Sequence, residues 1–118
     1  MSILVAVTDS KEGQAALNAA IDEARSLSTD LIVLNLTLGG LTVPQLPDGL
    51  TIRVVDRKGP DDRDPVDAVL DEIRTDSSIG RLVIGVRRRT PVGKALLGSV
   101  SQRLLLEADV PILAVKVS

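Results

Sequence analysis

Several residue types that proteins commonly use for chemistry are missing from this sequence. Its 118 residues include no cysteine, no histidine and no phenylalanine, tyrosine or tryptophan. The first absence excludes disulfides and thiolate sites, and the second removes the usual general base near neutral pH. Without aromatic rings, a nucleobase cannot stack on a side chain as it does in most proteins that bind single strands. The core must therefore be built from aliphatic residues.

Net charge and hydropathy indicate which kind of protein this is and which partners it does not favour. The net charge is −2, and 44% of the residues are hydrophobic and 25% charged, which is typical of a globular protein. This balance argues against broad electrostatic binding to nucleic acid or to an anionic membrane. There is no apolar run long enough to span a bilayer and no signal-like amino terminus, so we expect a cytoplasmic protein. The length predicts one domain over residues 1–118.

Apolar runs and helical spacing alternate along the chain. Five runs rich in β-branched residues predict strands, and three segments with apolar residues three and four apart predict helices. The predicted strands are 2–7, 31–36, 51–56, 81–85 and 111–117. The predicted helices run from about Ser10 to Ser28, from Asp64-Pro65 onward, and from Ser99 to Ala108. Residues 37–50 contain glycine and proline throughout and predict a loop.

The predicted strands are apolar along their whole length. This is typical of parallel strands that are covered on both faces. Because parallel crossovers are right-handed, the order of elements predicts a doubly wound α/β sandwich. Ligands of such folds bind outside the carboxyl ends of the strands, at the point where the strand order reverses.

This sequence resembles the universal stress protein family along nearly its whole length. Three parts of the sequence carry the resemblance. They are "ILVAVTDSKEGQAAL", "GKALLGSVSQRLLLEADVPILAVK" and the spacing between Gly85 and Gly98-Ser99. Nucleotide-binding members of that family carry Gly, two residues, Gly, nine residues, Gly and then Ser or Thr. Here Gly85 and Gly98-Ser99 occupy the outer positions, and Arg88 replaces the middle glycine.

The resemblance implies a five-stranded parallel sheet of order 3-2-1-4-5 with helices on both faces. The region between strands 2 and 3 is too short and proline-rich for the helix that family members usually have there. The resemblance also implies ATP or a related nucleotide in the crevice between strands 1 and 4, with Mg²⁺ as a candidate metal ion on its phosphates. The candidate nucleotide-binding residues are Thr8, Asp9, Val33, Gly85, Arg88, Gly98, Ser99 and Val100.

Most of these residues also have a structural interpretation. A helix that begins at Ser99 points free N–H groups at an anion, but Ser99 and Gln102 also have the spacing of a capping box. Arg88 can bind phosphate through its guanidinium or fill the space that a glycine would leave. Asp9 can bond ribose hydroxyls or a metal ion, or it can cap the first helix. Val33 can line an adenine pocket or belong to the core.

Two other site types are considered and not assigned. The segment is not a P-loop, because seven residues separate Gly85 from Gly93-Lys94 where that motif has four, and Ala95 supplies no hydroxyl for magnesium. The acidic residues between 61 and 72 are interpreted as the carboxylate-rich start of a helix, and we assign no metal site to them.

Three functions remain open from the sequence. The first is a stress-response regulatory protein that binds ATP or a related nucleotide. The second is a dimeric interaction module of the same family that binds no nucleotide, which Arg88 and the shortened middle region favour. A slow nucleotide hydrolase ranks last, since no general base is evident. The resemblance also implies homodimers through the last strand, Pro111–Val117; the other interpretation is an edge blunted by Lys116.

Overall fold

Five parallel strands form one sheet in the computed structural model of the protein, which describes residues 1–37, 39, 41, 43, 49–56, 64–87 and 99–117. The elements in chain order are β1 (Ser2–Val7), α1 (Lys11–Leu27), β2 (Asp30–Asn35), β3 (Ile52–Asp56), α2 (Pro65–Thr75), β4 (Ile79–Arg87), α3 (Ser99–Glu107) and β5 (Ile112–Val117). The order in the sheet is β3-β2-β1-β4-β5. The predicted strand order is therefore confirmed.

The central strand β1 shows how the two faces of the sheet are covered. Ile3, Val5 and Val7 belong to a core cluster with the buried residues of α1. Leu4 and Ala6, which point to the opposite face, belong to a second cluster with α2 and α3. Both faces of β1 are fully apolar because each carries a helix layer, and the predicted placement of helices on both faces is confirmed.

The helix starts agree only in part with the sequence. Asp64 caps α2 as predicted, since its Oδ1 accepts the Val66 N–H at 2.8 Å and Pro65 follows as the first helical residue. The cap of α1 is Ser10, whose extended backbone lets its hydroxyl accept the Gly13 N–H at 3.0 Å. Asp9 is exposed and does not cap α1, so that interpretation of Asp9 was wrong.

The fourth strand is longer than predicted. It spans Ile79–Arg87, whereas the sequence indicated an end at Gly85. Gly85 and Val86 continue the ladder by pairing with Val115 and Lys116 of β5, and buried Val86 packs in the core on the α2 and α3 side. Glycine is a common end signal, but this glycine lies inside the strand. The other strand bounds differ from those predicted by at most one residue.

The segment that follows β2 covers its side of the sheet without regular structure. Its described residues between positions 37 and 50 form neither helix nor strand. Leu41 and Leu50 are partly buried against the α1-side core. Val54 on the outer strand β3 keeps 44% of its surface exposed.

No helix in the described ranges is long and apolar enough to cross a membrane.

Asp76 ends α2 and organises the turn into β4. Its Oδ1 accepts hydrogen bonds from the Ser78 hydroxyl at 2.6 Å and from the Ser78 N–H at 3.0 Å. These bonds, the hydroxyl bond most strongly, lower the pKa of the Asp76 carboxyl below its ordinary value of 3.8, and Arg53 adds a smaller lowering. The Ser78 carbonyl in turn accepts the Ser2 N–H at 2.6 Å, so the same turn fixes the start of β1.

We predict that Asp76→Asn destabilises the protein at neutral pH and has little effect in acid. Because folding lowers the pKa of Asp76, its carboxylate stabilises the folded state above pH 3.8, and this contribution is lost as the pH falls through the folded pKa. The free energy of urea unfolding should differ between the two proteins at about pH 6 and converge towards about pH 2.5. Exposed Asp22→Asn is the control. Equal destabilisation at both pH values would contradict the prediction.

Candidate functional site

A small polar crevice lies at the carboxyl end of β1, next to the start of α1. Its volume is about 180 Å³, and it is lined by Val7, Thr8, Asp9, Ser10, Gln14, Thr37, Gly39 and Leu41. Here the chain order in the sheet reverses, because β1 has β2 on one side and β4 on the other. Ligands of doubly wound folds bind at such a point.

The turn from β1 into α1 is held by hydroxyl groups. The Thr8 and Ser10 hydroxyls share a hydrogen bond of 2.7 Å, and the Ser10 N–H donates to the Thr8 carbonyl at 2.9 Å. Ser10 also accepts the Gly13 N–H, so both hydroxyls are committed to the turn. Asp9 stands between them, exposed at the crevice, where its carboxylate can meet a ligand.

Two glycines let the first turn of α1 approach the sheet closely. A Cβ atom on Gly85 of β4 would overlap the Glu12 carbonyl oxygen, and one on Gly13 would overlap the Thr8 carbonyl oxygen. Both obstacles are backbone atoms, which cannot rotate away. Gly85 thus has a packing role besides the ligand role predicted for it. Gly13 was missed, although a glycine inside a helical pattern is a signal of such a contact.

The remaining predicted site residues lie at different depths. Val33 is fully buried in the α1-side core, and Val100 is partly buried against the core on the other face. Ser99 is exposed and is the first residue of α3. The Ser101 hydroxyl donates to the Gly85 carbonyl at 3.4 Å, which brings the first turn of α3 to β4. Arg88 and Gly98 lie outside the described residues.

The β2 side of the crevice was not predicted. Thr37, Gly39 and Leu41 follow β2 and form this wall, which contains no charged side chain among the described residues. The glycines and prolines of this segment and its lack of helical period gave no signal beyond that of a loop. Across the described ranges there is no group of three or more carboxylate, imidazole or thiol side chains that could hold a metal ion.

These features define a class: doubly wound α/β proteins with a polar crevice at the reversal point of the sheet. Two comparisons identify the family within it. The model of the "Universal stress protein family" matches residues 50–116. A "Universal stress protein" of Mycolicibacterium smegmatis is 37% identical over 129 aligned positions, and the alignment covers 97% of this chain and 96% of that protein. The chain belongs to the universal stress protein family.

Solved structures resemble this one over nearly the whole chain. A universal stress protein from Archaeoglobus fulgidus has a TM-score of 0.72 at 25% identity, with 98% of both chains covered. A universal stress protein from Archaeoglobus fulgidus in complex with dAMP has a TM-score of 0.66 at 21% identity and the same coverage. A universal stress protein in complex with cAMP has a TM-score of 0.59 at 20% identity, covering 98% of this chain and 97% of that one. The last two likenesses are of fold alone.

We predict that Gly85→Ala destabilises the fold, because the added methyl group must push the Glu12 backbone away from β4. Overpacking of this kind costs about 1–3 kcal/mol, measurable as the free energy of unfolding in urea. Gly80→Ala in the same strand is the matched control, since its Cβ would meet only the Met1 side chain, which is 59% exposed and can move. A Gly85→Ala protein as stable as the Gly80→Ala protein would contradict the packing role.

Proposed function

We propose that the protein is a regulatory member of its family that binds ATP or a related nucleotide between the carboxyl ends of β1 and β4. The observation that carries the proposal is the crevice beside Thr8, Asp9 and Ser10 at the reversal point of the sheet. Membership of the family supports it, as do the related folds solved with dAMP and cAMP.

Asp9 is the proposed contact for the ribose or for a metal ion on the phosphates. It is the single carboxylate among the described residues that line the crevice, and it is exposed. Mg²⁺ in nucleotide sites is commonly held by one or two carboxylates together with phosphate oxygens. A lone Asp9 therefore fits Mg²⁺ that arrives with ATP and does not fit a resident metal ion.

The phosphates are proposed to lie at the start of α3. The free N–H groups of a helix amino terminus and its dipole favour an anion, and Ser99 adds an exposed hydroxyl. The contact of Ser101 with the Gly85 carbonyl keeps this terminus beside β4. Gly98, Val100 and the guanidinium of Arg88 stay predicted contributors to the same subsite.

The base is proposed to lie at the β2 side of the crevice. In a chain without aromatic residues, adenine must bind in an aliphatic slot with hydrogen bonds from the backbone. Leu41 supplies apolar surface, and Gly39 leaves room, because a Cβ atom there would meet nothing within 4 Å. Val33 belongs to the buried α1-side core, against which Leu41 packs.

We predict that isothermal calorimetry detects ATP in the presence of Mg²⁺, and that Ser99→Tyr abolishes the binding by blocking the phosphate subsite. Asp9→Ala should weaken binding about tenfold, since it removes one charged contact. The matched controls are Ser26→Tyr and Asp22→Ala, two exposed positions near the far end of α1. Absence of heat at millimolar ATP would refute nucleotide binding.

We also propose a homodimer through β5. This strand pairs with β4 alone among the described strands and forms one edge of the sheet. Leu113 on this strand keeps 37% of its surface exposed, so the edge presents apolar surface together with unpaired backbone groups. Such an edge favours pairing with another strand, while a single lysine, Lys116, interrupts it only near its end.

We predict that Leu113→Glu converts the dimer into a monomer, because two like charges would face each other across paired edges. Val54→Glu is the control, since Val54 is similarly exposed on β3, at the opposite edge of the sheet. Native mass spectrometry should report a dimer for the wild type and Val54→Glu, and a monomer for Leu113→Glu. A monomeric wild type, or a dimer that survives Leu113→Glu, would contradict this interface.

A further inference from the structure

Asn35, the last residue of β2, carries a side-chain amide whose hydrogen-bonding capacity is fully used. Its Nδ2 donates to the Asp56 carboxylate at 3.1 Å and to the Gly39 carbonyl at 3.0 Å. Its Oδ1 accepts the Thr37 N–H at 2.9 Å and lies 2.6 Å from the Thr37 hydroxyl. The residue is only 3% exposed, although asparagine is seldom buried. Burial of this amide is not strongly destabilising, because each of its polar atoms has a hydrogen-bond partner.

This amide joins three parts of the chain at one point. Asp56 ends β3, Asn35 ends β2, and Thr37 and Gly39 line the crevice. The described residues between positions 37 and 50 form no helix or strand, so no hydrogen bonds of a helix or a sheet hold them. The hydrogen bonds of Asn35 tie Thr37 and Gly39 to the ends of β2 and β3, while Leu41 of the same wall packs against the α1-side core.

The position of this wall indicates what it contacts. In the sheet, β2 and β4 lie on opposite sides of β1, and α3 follows β4. If the phosphates lie at the start of α3, the other end of the nucleotide, the base, points to the β2 side. We propose that Asn35 is a positioning residue that sets the affinity for the base by holding Thr37 and Gly39 in place. This inference rests on the nucleotide function proposed above.

Asn35→Asp tests the proposal with almost no change in side-chain size. It replaces the Nδ2 donor by an oxygen that faces the Asp56 carboxylate and the Gly39 carbonyl, so two attractive contacts become repulsive. The wall is then released from β3, while Asp9 and Ser99 are untouched. Adding Asp56→Asn restores one donor–acceptor pair with the roles exchanged, so a regained affinity for ATP would assign the effect to this contact.

The experiment compares ATP with ribose 5′-triphosphate, which lacks the base, by calorimetry with Mg²⁺. Asn35→Asp should weaken ATP about tenfold, the equivalent of roughly one to two hydrogen bonds, and leave ribose 5′-triphosphate unchanged. The double variant should regain most of the affinity for ATP. The control is Asn18→Asp, an exposed asparagine of α1. Should Asn35→Asp fail to fold, exposed Asp56→Ala replaces it, with an expected selective loss of about threefold.

The outcomes separate this inference from the proposal on which it depends. A wild type that binds ATP while Asn35→Asp binds it equally well would overturn the role of Asn35 alone. Equal weakening of both ligands would also overturn it, because the effect would then not concern the base. A wild type that binds neither ligand would refute the nucleotide function itself, and this inference with it.

Discussion

The close approach of the first turn of α1 to the sheet is the contact on which the rest of the structure depends. It requires bare backbone at Gly13, where the helix meets Thr8, and at Gly85, where β4 meets Glu12. At this contact the Thr8–Ser10 turn forms a hydroxyl-bonded unit, in which the Thr8 and Ser10 hydroxyls bond each other and Ser10 accepts the Gly13 N–H. That unit points Asp9 outward at the reversal point of the strands. The β1 side of the crevice is thus a consequence of helix–sheet packing.

The shortened connection between β2 and β3 leaves part of the sheet exposed, and the Asn35 side chain orders the segment that replaces a helix. The described residues there form no helix, so the outer part of the α1 side is covered by Leu41 and Leu50, and Val54 stays partly exposed. A helix would have satisfied its own backbone groups and set the crevice wall by regular bonds. Here the Asn35 side chain orders the turn, because a buried amide with four polar contacts to three residues can hold a segment that has no repeating structure.

Local signals in the sequence were sufficient to predict the helices and strands. Contacts between residues far apart in the sequence could not be predicted from it. Apolar runs located the strands, and Asp64-Pro65 located the start of α2, because both depend on neighbouring residues. The choice of Ser10 over Asp9 as the cap depended on which residue is extended, and both side chains are suitable acceptors. The network of Asn35 depended on Asp56, which is adjacent only through the pairing of β2 with β3.

The packing of Gly85 changes how strongly this glycine supports a nucleotide site. In the motif it counts as the first glycine of a nucleotide site, yet its contact with Glu12 requires glycine whether or not a ligand binds. Its presence is therefore no independent evidence for phosphate, and the case for a ligand rests on the crevice and on the start of α3. Arg88, the changed position of the motif, lies outside the described residues and stays a predicted phosphate contact. The contact with Glu12 thus constrains position 85 through packing, apart from any role that this glycine has towards a ligand.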